Sequence, residues 1–479
     1  MKSVWIIGAG VVLVGAIVGL GLKLQHDEAT TTTGATPAEG QSVNWLIVGG
    51  GGTPEQNQIS IEDDVLLAQQ SFPNDGITLF AGGPGSSGVQ VSEPRKHSMA
   101  RKRLGDLFSP ANRDTKYVPT RVVSAGPSTR EQILSRLQTN LTGSEPLLVY
   151  FAGHGDMGAT ARENLISTWG NDTVTVADVA TMLDEHQQRP VKLAMTSCFS
   201  GGFAEFLFKE ADAQKGPSEQ LRCGVFASTW DLEAGGCDPD PVRGNHEGFG
   251  IHFLHALSGA DRDKNPILVD LDGDGVSLLE AFTAARIASK SIDVPTSTSE
   301  RILREYAAPD GNATESVSLP EEDRVIAELL KREGLGSVDE AAEKFAEIQL
   351  KMSDIQQKID AASTAETVAF RTVAAALVAK WPAVGDPWHP DFEPTLAQHG
   401  DEILKYLDGS NLYAEYQMAA GKVLKISDEL AELQVQSAPL ERIVRAAENL
   451  QLAAVLKTES PEKFQLFERV RACENEPLK

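Results

Sequence analysis

Two residues of this 479-residue chain have the types and the placement for covalent acyl transfer, and each follows directly on an apolar run. Leu147-Leu148-Val149-Tyr150-Phe151-Ala152 ends in Gly153-His154-Gly155-Asp156. Val191-Lys192-Leu193-Ala194-Met195 ends in Thr196-Ser197-Cys198-Phe199-Ser200-Gly201-Gly202. A thiolate is an effective nucleophile, and an imidazole within reach takes its proton and later gives one to the leaving amine. Glycines beside His154 and after Cys198 let a substrate backbone approach, and the amides of Gly155 and Cys198 are expected to form an oxyanion hole. Taken singly, a cysteine after a strand is ordinarily a small buried hydrophobe and a histidine a satisfied structural residue. The pair, each closing an apolar strand among glycines, reads as a nucleophile and its general base.

That chemistry requires two neighbouring, parallel strands, because ligands in an open α/β sheet bind beyond the carboxyl ends of the strands. Short β-rich runs are predicted at Val43 to Val48, Ile77 to Phe80, Val118 to Val123, Leu147 to Ala152, Val191 to Thr196 and Gly224 to Ser228. Their nearly continuous apolar character is that of strands buried on both faces. Helical patterns at Ile61 to Gln70, Thr129 to Leu141 and Val176 to His186 alternate with them, which predicts a mostly parallel α/β sandwich. From about Pro320 Ala, Glu, Leu and Lys dominate. Ala342 to Ala362 and Gly421 to Leu433 carry apolar residues at three and four spacing, the pattern of amphipathic helices, with a Pro, Gly and Trp-rich break over Trp381 to Pro394.

Ala-Gly-His-Gly after one strand and Ser-Cys-Phe-Ser-Gly-Gly-Phe after the next resemble the catalytic elements of the caspase and haemoglobinase class, legumain-like peptidases in particular. The resemblance covers roughly Val43 to Ala288. It implies a caspase-like sandwich, His154 and Cys198 as the dyad, and a peptide or protein substrate. Downstream, Phe226-Ala227-Ser228-Thr229 with Glu233, Cys237 and Asp240 is similar to legumain's strand and specificity loop, which assigns Ser228, Glu233 and Asp240 to the substrate pocket. Two positions depart from that pattern, Thr196 where legumains carry a glutamate and Gln58, Ile59 and Ser60 where their pocket arginine is expected, and they speak against legumain's asparagine specificity. Asp231, Glu233 and Asp240 leave room for a basic or amide substrate side chain.

Asp270-Leu271-Asp272-Gly273-Asp274-Gly275 followed by Glu280 offers alternating carboxylates and a turn glycine, similar to a calcium loop, so a Ca2+ on Asp270, Asp272, Asp274 and Glu280 is expected beside a catalysis that needs no cofactor. A formal net charge of -25 repels phosphate backbones and excludes nucleic acid as a partner. The basic cluster Arg95, Lys96, Arg101, Lys102 and Arg103 sits among Gly, Pro and Ser and reads as a solvated loop.

Val4 to Leu22 is nineteen residues without a charge, about 28 Å of helix and close to a bilayer core. The expected organisation is therefore a membrane anchor or signal over 1–24, a flexible tether over 25–42, a catalytic domain over 43–319 and an all-helical region over 320–479. Lys2 before the apolar stretch favours an extracytoplasmic catalytic domain, secreted if the stretch is cleaved. In such a compartment a disulfide persists, and of the four cysteines Cys223 and Cys237 bracket the pocket loop and are the expected pair.

The function expected is a cysteine endopeptidase working through a thioester. Aminolysis of that thioester would make it a transpeptidase, and an inactive sandwich would make it a membrane-tethered interaction module. A Cys glutaminase using His246 ranks below these. The helical region is expected to cap the enzyme or recruit a partner.

Overall fold

The computed structural model describes residues 44–72, 76–85, 88–93, 98–108, 115–186, 188–242, 245–386 and 389–478. The apolar stretch Val4 to Leu22 and its tether lie outside them, and among the described residues no helix is long and apolar enough to cross a membrane. In chain order the first elements are β1 (Trp45–Gly49), α1 (Ile59–Ser71), β2 (Ile77–Phe80), β3 (Gly88–Ser92), α2 (Met99–Phe108), β4 (Thr115–Pro119) and α3 (Arg130–Thr139). Next come β5 (Leu147–Ala152), β6 (Gly155–Asp156), β7 (Leu165–Thr168), β8 (Asp172–Thr175), α4 (Val176–Asp184), β9 (Val191–Met195) and β10 (Arg222–Phe226). The remainder is α5 (Phe249–Ser258), α6 (Leu278–Ala288), β11 (Thr296–Ser297), α7 (Thr298–Tyr306), α8 (Pro320–Glu333), α9 (Val338–Lys380), α10 (Phe392–Asp408), α11 (Asn411–Glu459) and α12 (Pro461–Asn475).

The protein is a mixed α/β molecule whose central sheet has the order β11-β10-β9-β5-β1-β2, parallel throughout except for the edge strand β11. Alternate residues of each strand enter opposite cores. Trp45, Ile47, Leu148, Tyr150, Ala152, Ala194 and Val225 face α1, α5 and α6, while Leu46, Val48, Leu147, Val149, Phe151, Leu193 and Met195 face α3, α4 and the turn after β9. Burial on both faces explains the unbroken apolar runs, and each large side chain so buried stabilises the sheet by roughly 1.5–3 kcal/mol.

One expected strand differs. Val118 to Val123 does not join the central sheet, because β4 ends at Pro119 and pairs only with β3. Beyond it Arg121 turns onto α1, its Nε 2.7 Å from Glu62 and its Nη2 2.5 Å from Asp63.

The chain divides into two compact units, and the division does not fall at residue 320. One unit holds α2, α9 from Glu347, α10 and α11 as far as Gln434; the other holds the sheet, α8, the start of α9 and everything from Val435 on. In the helical unit Arg101 and Arg103 lie on α2 instead of in the expected loop, paired with Glu393 and Asp408 of α10. Leu104 and Leu107 on the same helix pack with Val373, Leu377, Ile403 and Leu407.

In the sheet unit the C-terminal segment that ends α12 is joined to β10, α7 and β9 at three points. Cys473 forms a disulfide with Cys223 of β10, the α-carbons 6.0 Å apart. Glu474, fully buried, accepts from the Thr298 hydroxyl at 2.6 Å and the Ser299 amide at 2.7 Å at the start of α7. Glu476 pairs at 2.8 Å with Lys192 of β9, whose side chain is almost wholly buried. The expected Cys223–Cys237 bridge is thus replaced. Cys223 points from β10 into the core shared with α12, whereas Cys237 lies in the loop beyond the strand as a free thiol.

Peptide mapping under non-reducing conditions should therefore recover Cys223 joined to Cys473. Cys473→Ser should lower stability to denaturant by about 2–4 kcal/mol. A Cys223–Cys237 peptide would contradict the docking of α12.

Candidate active site

The register between β5 and β9 fixes the geometry of the site. Phe151 pairs with Met195 in the parallel ladder, so His154 and Cys198 each stand three residues beyond a matched pair, at the same edge of adjacent strands. The ladder continues past the strands, because the Thr196 amide donates to the Phe151 carbonyl at 3.0 Å and its hydroxyl to the same oxygen at 3.2 Å. At the position where the resemblance implies a glutamate, this threonine instead holds the two loops in step. Gly155 packs so closely on the Cys198 loop that an added β-carbon would lie 2.3 Å from the Cys198 carbonyl oxygen. Any side chain there would push the loops apart.

His154 is half-buried, and its Nε2 lies 3.0 Å from the Gln56 carbonyl oxygen. A carbonyl only accepts, so Nε2 carries the proton and Nδ1 is left as the basic nitrogen, an assignment made from the hydrogen-bond partner. Burial holds the imidazole below its ordinary pKa, opposed by the Gln56 hydrogen bond and by Asp156. A neutral ring is the form a general base requires.

Cys198 is half-buried and precedes Phe199, whose φ of 56° lies in the left-handed region. That turn swings the chain from β9 into the turn Ser200–Leu207. Burial first, and then Cys237, Glu233 and Asp293, push the Cys198 thiol up to about 12, against a hydrogen bond from Ala234. The resting pair is therefore a neutral thiol and a neutral imidazole. A thiol so protonated reacts as a nucleophile only if its proton is removed as it does so.

Asn164 is a site residue that the sequence reading passed over. It is fully buried. Its Nδ2 donates to the Phe199 carbonyl at 2.9 Å and the Trp230 carbonyl at 2.6 Å, while its Oδ1 accepts from the Gly158 amide at 2.9 Å. One amide side chain thus ties the loop after His154, the left-handed turn after Cys198 and the loop after β10 together. Asp293 is the second such residue. It is buried behind the site, with Oδ1 accepting from the Gly235 amide at 2.7 Å and Oδ2 from the Phe249 amide at 2.6 Å. No local pattern marks either one, since the bonds that join separate loops, from Asn164 to Phe199 and Trp230 and from Gly235 and Phe249 to Asp293, span 35 to 66 positions.

The residues assigned to the pocket are divided. Ser228 is wholly buried just past β10, its amide 3.4 Å from the Ser200 hydroxyl. Glu233 is exposed on the same loop as Ala234. Asp240 is committed to its own turn, with Oδ1 accepting from the Val242 amide at 2.8 Å and Oδ2 from Asn245 at 2.7 Å. His246 is spent as well, its Nε2 lying 2.7 Å from the Asp240 carbonyl and its Nδ1 3.7 Å from Asp63, so it is not available as a glutaminase base.

Away from the dyad, ligand oxygens of Asp270, Asp272 and Asp274 gather within 4.8 Å of one another. Glu280 is turned to other work. Its Oε1 accepts from the Leu271 amide at 2.7 Å, and its Oε2 closes a capping box with Ser277 at the start of α6. An open groove of about 510 Å3 lies in the helical unit between α9 and α11, lined by Ala361, Val368, Thr372, Leu412 and Ala419, side chains without catalytic chemistry.

No family model matches the chain, and no curated protein matches it.

Proposed function

We propose that the protein is a cysteine endopeptidase of caspase-like architecture in which His154 is the general base and Cys198 the nucleophile. The observation that carries this reading is the matched register, which brings a histidine with its Nδ1 free and a thiol to one edge of two adjacent parallel strands. In this mechanism Nδ1 takes the thiol proton as sulfur attacks a peptide carbonyl. The amides of Gly155 and Cys198 receive the oxyanion, and the imidazolium protonates the departing amine. Water then releases the acyl group from sulfur. Glu233, exposed on the loop after β10, lines the approach of the substrate in place of the wholly buried Ser228, and the acidic loop suits a basic or amide side chain. The Cys223–Cys473 disulfide supports an oxidising, extracytoplasmic compartment.

A Ca2+ on Asp270, Asp272 and Asp274 is part of the same proposal, held near the start of α6. A side-chain hydrogen bond with Asp272, and then the charges of Asp272, Glu280 and Asp270, raise the Asp274 carboxyl above its ordinary value, and a cation would take the place of that shared proton. Calorimetry should show saturable calcium binding that Asp272→Ala weakens at least about tenfold. No heat at about 1 mM calcium would leave the three aspartates as an acidic turn.

Cleavage of a peptide library, with Cys198→Ala as the blank, tests the activity. The blank should fold normally, losing less than about 1 kcal/mol, and cleave nothing. His154 is lowered from 6.5, so the base is lost only as pH falls below 6.5. The thiol, near 12, stays protonated through the neutral range. The pH profile of kcat/KM should therefore show one acid limb below 6.5 and a plateau above it. A bell centred on acid pH would point to a thiolate–imidazolium pair and contradict the neutral dyad.

A further inference from the structure

The nucleophile is already occupied by its own chain. The Cys198 thiol donates to the Ala234 carbonyl at 3.4 Å, and the Ala234 amide donates back to Sγ at 3.3 Å. Beside it the Phe199 amide donates to the Leu232 carbonyl at 2.8 Å, so the segment runs along the nucleophile's loop as an extended peptide would. Attack on a substrate needs a carbonyl carbon within roughly 3–3.5 Å of sulfur. Backbone atoms of Ala234 stand at that distance, and the Ala234 carbonyl accepts the thiol's hydrogen bond.

The segment is held from behind. Gly235, the next residue, donates its amide to Asp293 at 2.7 Å. A β-carbon on Gly235 would come within 2.8 Å of the Ser291 hydroxyl, so close seating on this anchor needs a glycine. Asp293 also takes the Ser291 hydroxyl at 2.5 Å. The carbonyls of Ser289 and Ser291 are in turn held by Arg442 of α11, at 3.0 and 3.1 Å. Gly236 follows with a φ of 120°, a conformation open to glycine and a ready pivot.

Building on the peptidase reading, we propose that Leu232 to Gly236 is an autoinhibitory latch, seated on Cys198 in the place of a substrate backbone and anchored by the Asp293 carboxylate. The latched enzyme is at rest. Withdrawal of the segment frees Sγ for His154 and opens the groove, and no covalent change is needed.

The test is the rate at which iodoacetamide alkylates Cys198 in the full chain, followed on the Cys198 peptide by mass spectrometry so that Cys237 does not interfere. Asp293→Asn keeps the shape of the anchor but sets an amide nitrogen against one of its two backbone N–H groups. Ala234→Pro removes the N–H that binds sulfur. Loss of one such hydrogen bond should raise the alkylation rate roughly tenfold in each variant. Circular dichroism establishes folding, and if the buried Asp293→Asn does not fold, Ala234→Pro, on a half-exposed loop, carries the test. A folded variant that alkylates at the wild-type rate overturns the latch. Alkylation needs no amide cleavage, so faster variants of a chain that cleaves no peptide would uphold the latch and remove the peptidase reading. Unchanged alkylation in an active peptidase would do the reverse.

Discussion

The parallel pairing of β5 with β9 is the constraint on which the rest of the site depends. Side chains in a strand alternate between faces, so a slip of one residue would exchange the two cores and move His154 relative to Cys198. Such a slip would carry Tyr150 and Phe151, now buried on opposite faces, into each other's cores. The alternation of two apolar cores therefore sets the position of the chemistry. Thr196 and Gly155 carry the match past the last ladder pair, the first by bonding to the Phe151 carbonyl and the second by leaving room for the Cys198 carbonyl.

The C-terminal segment belongs to this arrangement. Through Cys473, Glu474 and Glu476 it is fastened to β10, to the start of α7 and to β9, the strand that leads into Cys198. A buried carboxylate at a helix N-terminus, as with Glu474 on α7, satisfies amides that otherwise lack partners. Arg442, on the last part of α11, spends its buried guanidinium on backbone carbonyls around Asp293, and burial lowers it to about 10. The helices that enclose the sheet thus also hold the loops that enclose the thiol.

The parts of this structure that were legible in the sequence are those written locally. The runs Leu147 to Ala152 and Val191 to Met195 are strands because apolar side chains on both faces leave no other way to bury them, and the residues that follow them stand out against that background. The break around Trp381 was legible for the same reason. What escaped depends on distant contacts. Cys223 finds Cys473 across 250 positions, and closeness to Cys237 in sequence is no guide to direction. Val118 to Val123 has the composition of a core strand, but Arg121 is drawn to the carboxylates of α1. Asn164 and Asp293 bind mainly backbone groups of other segments and Ala234 acts through its own backbone, so none of the three carries a signal until the chain is folded.

The central claim is that His154 and Cys198 act as one unit, and covalent labelling tests it most directly. A peptidyl acyloxymethyl ketone should modify the full chain once, at Cys198, and His154→Ala should slow that modification by about 10²–10⁴-fold, the contribution of a positioned general base. Modification at Cys237, or at Cys198 with a rate indifferent to His154, would contradict the account.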